Sequence, residues 1–270
     1  MGSLLRTMGP PHHPGSRMLI ETTTRTDPGP VRACNEDWFL VDEDSGLLLL
    51  ADGMGGHAAG EVAARIAVDT FRELLLGQTD PDETRLDRIT AGRSDMVLER
   101  MRYAMNQASL RIRQAALLDP SRTGMGTTLV AAILEEGLLH LAHVGDSRAY
   151  LWRGDRLERL TRDHTLVQIE VDAGRLTPEL ARIAPHKNIL VQSIGFHGAV
   201  DPDTSVLPLA VDDVVLLCSD GLTDPLDDAS IARICRCTSP TDLPDVLVKA
   251  ALDGRGNDNV TVIAARVMEV

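Results

Sequence analysis

Aromatic residues are scarce in this sequence. Phe, Tyr and Trp together make up only 3% of its 270 residues, although 43% of the chain is hydrophobic. A folded core must therefore be built mainly from Leu, Val, Ile and Ala. A chain of this length has enough of these residues for one large domain or two small ones.

Positive charge is also in short supply. The chain has 27 Lys and Arg residues against 40 Asp and Glu residues, which gives a net charge of -13. Such an acidic surface argues against non-specific nucleic-acid binding, which needs basic patches, and it repels anionic substrates at long range. A phosphate site on this chain therefore needs local positive charge from arginine or from a metal ion.

The four cysteines form no C-x-x-C pair and no visible disulfide framework; they are Cys34, Cys218, Cys235 and Cys237. Because a chain of this length does not need disulfides, we expect reduced thiols in a cytoplasmic protein. Cys235 and Cys237 have no histidine near them in the sequence, which makes them a poor zinc site.

Long apolar runs are absent. The longest lie near 47–51 and 129–134, well short of the roughly 18 residues that span a bilayer. The N-terminus lacks the apolar segment of a signal peptide, so we expect no membrane association. Residues 1–17 have the composition of a flexible leader, and no linker-like stretch interrupts 18–270, which predicts a single domain there.

Hydrophobic periodicity predicts two long helices and a series of strands. The long helices fall at 58–76 and 95–118 with a polar loop at 78–94 between them, and shorter helices are predicted near 164–173, 178–183, 228–236 and 242–252. One or two strands are indicated within 19–41, and further strands at 47–50, 127–134, 138–144, 148–152, 213–218 and 259–267. Because strands and helices are grouped instead of alternating, we expect an α+β fold with antiparallel sheets.

Four aspartates share an unusual setting, because each lies at the end of a strongly apolar predicted strand; they are Asp52, Asp146, Asp220 and Asp258. Carboxylates gathered at one rim repel each other, and a shared divalent cation would resolve this conflict. Oxygen ligands without a Cys or His set favour Mg²⁺ or Mn²⁺ over Zn²⁺.

A plain turn is the competing interpretation of each aspartate. Asp-Gly after a strand is a common hairpin signal, and the strand at 47–50 is expected to end in a tight turn at Asp52-Gly53. Gly55 and Gly56 follow that pair directly and would let the backbone approach a ligand closely. The combination of four such sites favours a shared function over four separate turns.

Six short motifs occur in order along the chain: R-A-C-N-E-D at 32–37, A-D-G-M-G-G-H at 51–57, G-T-T at 126–128, V-G-D-S-R at 144–148, S-D-G at 219–221 and D-N-V-T at 258–261. Together they resemble the metal-dependent serine/threonine protein phosphatases of the type 2C family in their compact bacterial form. The resemblance implies a four-layer α-β-β-α sandwich, in which two antiparallel sheets are flanked by helices.

The resemblance also implies metal ligands by position. Asp52 would bridge two metal ions, and the Gly53 carbonyl would complete the shell of one of them. Asp220 and Asp258 would hold the other ion. Asp146, together with Asp220, would form a third and weaker site. The implied cofactors are two Mn²⁺ or Mg²⁺ ions with a third ion beside them.

Three further residues receive roles from the resemblance. Glu36 and Asp37 would contact metal-bound waters. Arg32 would bind the substrate phosphate, and its planar guanidinium suits this role because it can contact two phosphate oxygens at once. The set of catalytic residues implied in this way is Arg32, Asp52, Asp220 and Asp258.

The general acid stays open at this point. Some members of the family use a histidine directly after the metal-binding Asp-Gly pair, but Met54 occupies that place here. His57 lies three residues further on and can instead orient the helix that follows. Protonation of the leaving group then falls to a metal-bound water.

The segment 162–165 resembles the start of the family's flap, which borders the site and influences substrate choice. His164 within it is expected to be structural. His143 lies on an apolar predicted strand and is interpreted as a core histidine with satisfied hydrogen bonds. Arg148 is expected to form an orienting ion pair.

The sequence thus predicts a phosphatase that hydrolyses phosphoserine and phosphothreonine in proteins through a metal-activated bridging water. One alternative is a degenerate binding module, which should have lost at least one carboxylate, and none is missing. Another is a regulatory phosphatase of a partner-switching pathway, whose members usually carry sensory domains. The expected partners are phosphorylated proteins, namely a bacterial Ser/Thr kinase and its substrates, and we expect a monomer.

Overall fold

The computed structural model of this chain describes residues 18–55, 59–77, 93–196, 198–254 and 256–269. Its strands are β1 (Leu19–Asp27), β2 (Asp37–Asp42), β3 (Leu47–Met54), β4 (Gly126–Thr127), β5 (Leu129–Glu135), β6 (Leu138–Val144), β7 (Arg148–Arg153), β8 (Arg156–Arg159), β9 (Asp203–Pro208), β10 (Val214–Cys218) and β11 (Val260–Glu269). Its helices are α1 (Ala59–Leu76), α2 (Arg93–Leu118), α3 (Leu166–Asp172), α4 (Pro178–Ile183), α5 (Asp220–Thr223), α6 (Asp228–Cys237) and α7 (Leu243–Asp253). The leader predicted at 1–17, His57 and nearly all of the loop predicted at 78–94 lie outside the described residues.

Two antiparallel sheets form the centre of the molecule. One has the strand order β1-β11-β10-β7-β8, and the other has the order β2-β3-β5-β6-β9, with β4 paired to the end of β3. Neighbouring strands run antiparallel in both sheets. The α+β class predicted from the grouping of strands and helices is therefore confirmed.

The packing of β3 explains why its sequence is an uninterrupted apolar run. Successive side chains of a strand point to opposite faces of the sheet, and both faces of β3 are covered. Leu47 and Leu49 pack toward α1 and α2, whereas Leu48 and Leu50 pack between the two sheets. A strand that is buried on both sides needs apolar residues at every position.

Helices cover the outer face of each sheet. Ala67 and Phe71 of α1 and Met101 of α2 pack on the sheet that contains β3. On the opposite side, Ile231 of α6 and Leu247 of α7 pack on β10 and β11. The order of helices, sheet, sheet and helices confirms the four-layer sandwich. Among the described helices, none is both long and apolar enough to cross a membrane.

The strand at 47–50 is longer than the sequence predicts. The tight turn expected at Asp52-Gly53 is wrong, because β3 continues through both residues. Asp52 pairs with Asp37 of β2, and Gly53 pairs with Thr127 of β4. Neighbouring strands that are distant in sequence supply these pairings, so the local Asp-Gly signal could not reveal them.

Two strands, β8 and β9, are missing from the sequence-based prediction. Both lie at the edges of their sheets. Edge strands expose polar residues on one side and are often short, and neither β8 nor β9 contains a buried residue. Their hydrophobic pattern was therefore too weak to recognise.

The four cysteines are free, as expected. Cys235 is buried on α6, whereas Cys237 is exposed. Their different environments on one short helix agree with the interpretation that they do not form a zinc site.

Truncation of Phe71 tests the layer between α1 and its sheet. Phe71 is fully buried, so Phe71→Ala should lower the free energy of unfolding by about 3–5 kcal/mol through lost burial and a new cavity. Leu117→Ala is the matched control, because Leu117 is 83% exposed and its truncation should change stability by less than about 0.5 kcal/mol. Urea unfolding of both variants measures the difference, and equal effects would contradict the assigned layer.

Candidate active site

At one rim of the sandwich, the layer between the two sheets changes from apolar to polar. Alternation along β3 puts Asp52 on the same face as Leu48 and Leu50, which pack between the sheets. Asp37 is the partner of Asp52 in the register of β2 and β3. Two carboxylates therefore end the inter-sheet layer, in a place where their charge is largely removed from water.

Asp37 has one satisfied and one unsatisfied carboxylate oxygen. Its Oδ2 accepts hydrogen bonds from the hydroxyl groups of Ser219 at 2.8 Å and Thr261 at 2.6 Å. Its Oδ1 is buried and has no hydrogen-bond partner among the described residues. Burial raises the pKa of Asp37 to about 6. A buried oxygen of this kind is costly unless a cation or an ordered water pairs with it.

The four aspartates predicted at strand ends lie together at this rim. Asp52 is near the end of β3, Asp146 lies in the turn between β6 and β7, Asp220 begins α5 directly after β10, and Asp258 precedes β11. Burial raises the pKa of Asp52 and of Asp220 well above the usual range, and repulsion from neighbouring aspartates raises both further. Burial also raises the pKa of Asp146 to about 7.

This electrostatic conflict indicates what the rim can bind. Mutual repulsion and burial both disfavour the charged carboxylates, and a divalent cation between them would reverse both effects. The donors are oxygens alone, which suits Mg²⁺ or Mn²⁺. The unpaired Oδ1 of Asp37 fits the same interpretation, because it offers a further acceptor for a metal-bound water.

Arg32 stands at the edge of the aspartate cluster. Its Nη2 lies 2.6 Å from Oδ2 of Asp258, and this hydrogen bond raises the pKa of Arg32. About half of the Arg32 side chain remains exposed, 49% by area. The guanidinium therefore brings positive charge to the rim and stays accessible to an anion from solvent.

Glu36 is held beside the first turn of α1. Its Oε1 accepts a hydrogen bond from the Gly60 N–H at 3.2 Å, which is a favourable place for a carboxylate. A Cβ atom on Gly53 would lie 2.2 Å from the Gly60 carbonyl oxygen, and one on Gly60 would lie 2.7 Å from Glu36 Oε1. Glycine is therefore required at both positions by the close approach of β3 to α1.

Asn259, which sequence reasoning missed, fastens the loop that carries Arg32. Its Nδ2 donates to the carbonyl oxygens of Pro28 at 2.9 Å and Cys34 at 3.0 Å, and its Oδ1 accepts from the Glu36 N–H at 2.8 Å. Asn259 belongs to the D-N-V-T motif, so the motif itself was a signal. Its three partners lie more than 220 residues away in the chain, and only the fold reveals them.

Thr128 connects the strand of Asp52 to the turn of Asp146. Its Oγ1 accepts a hydrogen bond from the Asp52 N–H at 3.0 Å and lies 2.8 Å from the Ser147 hydroxyl. The hydroxyl of Thr127 donates to the Asp52 carbonyl oxygen at 2.8 Å. The G-T-T motif thus fixes the backbone of Asp52 on both sides.

A cleft of about 540 Å³ adjoins Asp146 and Asp220. Its lining includes Arg182 and Lys187, which belong to the segment 164–192 that we call the flap. Lys187 Nζ lies 2.5 Å from Oδ2 of Asp224, and Arg182 donates to the Asp224 carbonyl oxygen at 3.2 Å. The flap is therefore tied to the helix that begins with Asp220.

The structural roles expected for Arg148 and His143 are confirmed. Nη2 of Arg148 lies 2.7 Å from Oδ2 of Asp163, and both side chains are largely buried. His143 is 3% exposed, and its Nε2 donates to the Arg162 carbonyl oxygen at 2.8 Å.

The sequence profile of the family "Protein phosphatase 2C" matches residues 31–252, which is more than half of the chain. The chain belongs to the protein phosphatase 2C family. The matched region contains every aspartate of the rim described above except Asp258.

Two relatives show how much of the chain is shared within the protein phosphatase 2C family. The chain is 37% identical over 252 residues to "Serine/threonine protein phosphatase PstP" of Mycobacterium tuberculosis, and the match covers 93% of this chain and 46% of PstP. It is also 37% identical over 243 residues to "Serine/threonine phosphatase stp" of Listeria innocua, covering 88% of this chain and 92% of the relative. The chain therefore spans about half the length of the first relative and nearly all of the second.

Solved structures of the family have the same fold. The crystal structure of the M. tuberculosis serine/threonine phosphatase PstP/Ppp superposes with a TM-score of 0.80 at 37% identity, covering 93% of this chain and 99% of that chain. Stp1 from Staphylococcus aureus gives 0.81 at 32% identity, covering 97% and 100%. A structure of the PstP catalytic domain in complex with 2 manganese ions gives 0.77 at 34% identity, covering 93% and 100%.

The raised pKa of Asp146 predicts a pH-dependent stability of the protein in excess chelator. A carboxyl whose pKa is raised by folding binds its proton more tightly in the folded state, so stability is lost as pH rises from about 4 to about 7. Asp146→Asn cannot lose this proton. At pH 8 in chelator we expect the variant to be more stable than wild type by on the order of 2–4 kcal/mol, since each pKa unit corresponds to about 1.4 kcal/mol.

Urea unfolding of wild type and Asp146→Asn at several pH values measures this difference. The advantage of the variant should shrink toward pH 4, where the wild-type carboxyl is protonated as well. Excess Mn²⁺ at pH 8 should reduce or reverse the advantage, because the wild type has the more complete ligand set. A difference that does not vary with pH would contradict the assigned burial of the Asp146 charge.

Proposed function

We propose that this chain is a metal-dependent protein phosphatase that hydrolyses phosphoserine and phosphothreonine in proteins. The observation that carries this proposal is the rim of buried and partly buried aspartates, in which Asp37 keeps a buried oxygen that has no hydrogen-bond partner among the described residues. Membership of the protein phosphatase 2C family supports it. The complex of the PstP catalytic domain with 2 manganese ions supports Mn²⁺ or Mg²⁺ as the cofactor.

The aspartates would divide the metal ions among them. Asp52 would bridge two ions, the Gly53 carbonyl would complete the shell of one, and Asp220 and Asp258 would hold the other. Asp146, with Asp220, would hold a third ion. When bound, such a pair of ions supplies a bridging water of lowered pKa as the nucleophile at phosphorus.

Glu36 and Asp37 would contact metal-bound waters. Asp37 offers its unpaired Oδ1 for this contact, while Ser219 and Thr261 fix its other oxygen. Glu36 uses Oε1 at the start of α1, so we assign the water contact to Oε2. Both carboxylates are thus oriented by the protein before any substrate arrives, which lowers the reorganisation needed during the reaction.

Arg32 would bind the phosphate of the substrate. The chain carries a net charge of -13, so an approaching phosphoprotein needs a local cation beside the metal ions. The guanidinium of Arg32 is half-exposed, and the loop that carries it is fastened by Asn259. Such a preorganised fork binds a phosphate with two hydrogen bonds.

The substrates would be phosphoproteins, and the partner would be a bacterial Ser/Thr kinase together with its targets. The two relatives described above are both named as bacterial serine/threonine phosphatases, which supports this proposal. We further propose that residues 18–270 act as one catalytic domain, as a monomer in the cytoplasm.

Loss of a metal ligand should nearly abolish turnover. We expect Asp52→Asn and Asp258→Asn each to lower kcat for a phosphothreonine peptide by at least about 100-fold, because the metal pair loses a ligand. Asp245→Asn is the matched control, since the Asp245 side chain is 73% exposed. Phosphate release in the presence of Mn²⁺ is the measurement. Normal turnover in either site variant, or by wild type in excess chelator, would refute the proposed reaction.

Removal of the Arg32 guanidinium should mainly weaken substrate binding. Arg32→Ala loses a charge-assisted hydrogen bond to phosphate, typically about 1.5–3 kcal/mol, so KM should rise about 10- to 100-fold with a smaller change in kcat. Arg32→Lys should recover only part of this effect, because it cannot form the fork. Arg65→Ala, an exposed arginine of α1, is the control, and an unchanged KM in Arg32→Ala would contradict the role.

A further inference from the structure

His164 forms two hydrogen bonds to the turn that carries Asp146. Its backbone N–H donates to the Gly145 carbonyl oxygen at 2.9 Å, and its side-chain Nδ1 accepts from the Gly145 N–H at 3.2 Å. One residue therefore satisfies both backbone groups of the residue immediately before Asp146. We refer to these two hydrogen bonds as the His164–Gly145 clamp.

The clamp holds Gly145 in a backbone conformation that is also restricted by the packing around it. Gly145 has a φ of +105°, a region that strongly favours glycine. A Cβ atom there would lie 2.6 Å from Cγ2 of Thr128, so Gly145 is packed between Thr128 and His164. On the other side of Asp146, Arg148 pairs with Asp163. Two consecutive residues, Asp163 and His164, thus hold both flanks of Asp146.

The hydrogen bonds of His164 indicate which of its ring nitrogens carries the hydrogen. The Gly145 N–H can only donate, so Nδ1 must carry the lone pair and Nε2 must carry the proton. The amide of Gln192 also lies 3.0 Å from Nδ1, where it acts as a second donor. Nε2 lies 3.4 Å from Oδ2 of Asp203, which can accept that proton. These contacts hold the His164 ring in one orientation.

The same geometry argues against a metal site at this position, although His143, His164 and Asp203 place potential ligand atoms within 4.8 Å of one another. To bind a metal through Nε2, His164 would have to move its proton to Nδ1, where it would face the Gly145 N–H. The ring of His143 stacks on that of His164 with centroids 4.8 Å apart and an angle of 23°. Because the two rings are nearly parallel, the lone pairs on their nitrogens lie in nearly parallel planes and do not converge on one metal position.

His164 also sits where the flap begins and ends. The flap, residues 164–192, contains α3 and α4. The Val191 N–H donates to the His164 carbonyl oxygen at 2.9 Å, and Gln192 contacts its ring. Both ends of the flap therefore meet at the residue that clamps Gly145.

We propose that His164 is a positioning residue that holds the Asp146 turn in the geometry needed for the third cation and couples the flap to that site. The proposal rests on the proposed function, in which Asp146 is a metal ligand. His164 does not touch substrate or metal; it acts through the backbone of Gly145. Outer partners of this kind affect metal affinity typically by about 10- to 100-fold.

Calorimetric titration of the full chain with Mn²⁺ tests the proposal, using wild type, Asp146→Ala, His164→Leu and His164→Asn. Wild type should show two tighter steps and one weaker step, and Asp146→Ala should lack the weaker one. His164→Leu keeps the bulk of the side chain but loses the hydrogen-bond acceptor. The Mn²⁺ affinity of its weaker step should therefore fall about 10- to 100-fold, and the affinities of the tighter steps should not change. His164→Asn keeps an acceptor at the δ position and should bind nearly as wild type does.

A second measurement tests the His164–Gly145 clamp in the absence of metal. The exchange rate of the Gly145 amide hydrogen, followed by NMR, should increase at least about tenfold in His164→Leu when its hydrogen bond is lost, and it should stay slow in His164→Asn. His186→Leu is the control, because His186 belongs to the same flap but not to the clamp. If His164→Leu does not fold, the Asn variant still tests the proposal, because fast exchange of the Gly145 amide in His164→Asn would contradict it.

The outcomes separate the two proposals. If wild type shows no metal step at all, the proposed function fails. If wild type shows three steps and His164→Leu retains the third at wild-type affinity, the role of His164 fails and the proposed function stands. Equal Gly145 exchange rates in wild type, His164→Leu and His164→Asn would also overturn the role of His164.

Discussion

Repulsion between carboxylates that are wholly or partly removed from water is the constraint on which this structure depends. Asp37, Asp52, Asp146 and Asp220 lie where the inter-sheet layer meets solvent, and burial raises the pKa of each of them. A fold that gathers negative charge in this way gives up stability unless a cation is bound. The fold thereby prepares a site whose affinity for a divalent cation comes from charge that is already fixed in place.

Neutral polar groups hold these carboxylates in position. The hydroxyls of Ser219 and Thr261 fix one oxygen of Asp37, and Thr128 fixes the backbone of Asp52. Asn259 fastens the loop of Arg32. Because these groups carry no charge, they orient the acidic side chains without neutralising them. The charge is left for metal ions to balance.

The flap contacts the aspartate rim at two places. Lys187 ties the flap to Asp224, one helical turn after Asp220, and His164 ties it to the turn of Asp146. The flap is thus anchored at both aspartates assigned to the third cation.

The sequence alone determined the fold class, the long helices and the central strands, because a 43% hydrophobic chain with clear periodicity allows few other arrangements. It also pointed to the aspartates at the ends of apolar strands. Only the tertiary structure decided that Asp52-Gly53 continues a strand, that Gly53 is required by the approach of Gly60, and that Asn259 and His164 support the site. Most of these features depend on contacts between different elements of the fold, such as Asn259 with Pro28 and His164 with Gly145. No local pattern encodes such contacts, because the partner of each group is supplied by strand pairing and by the packing of loops and helices on the sheets.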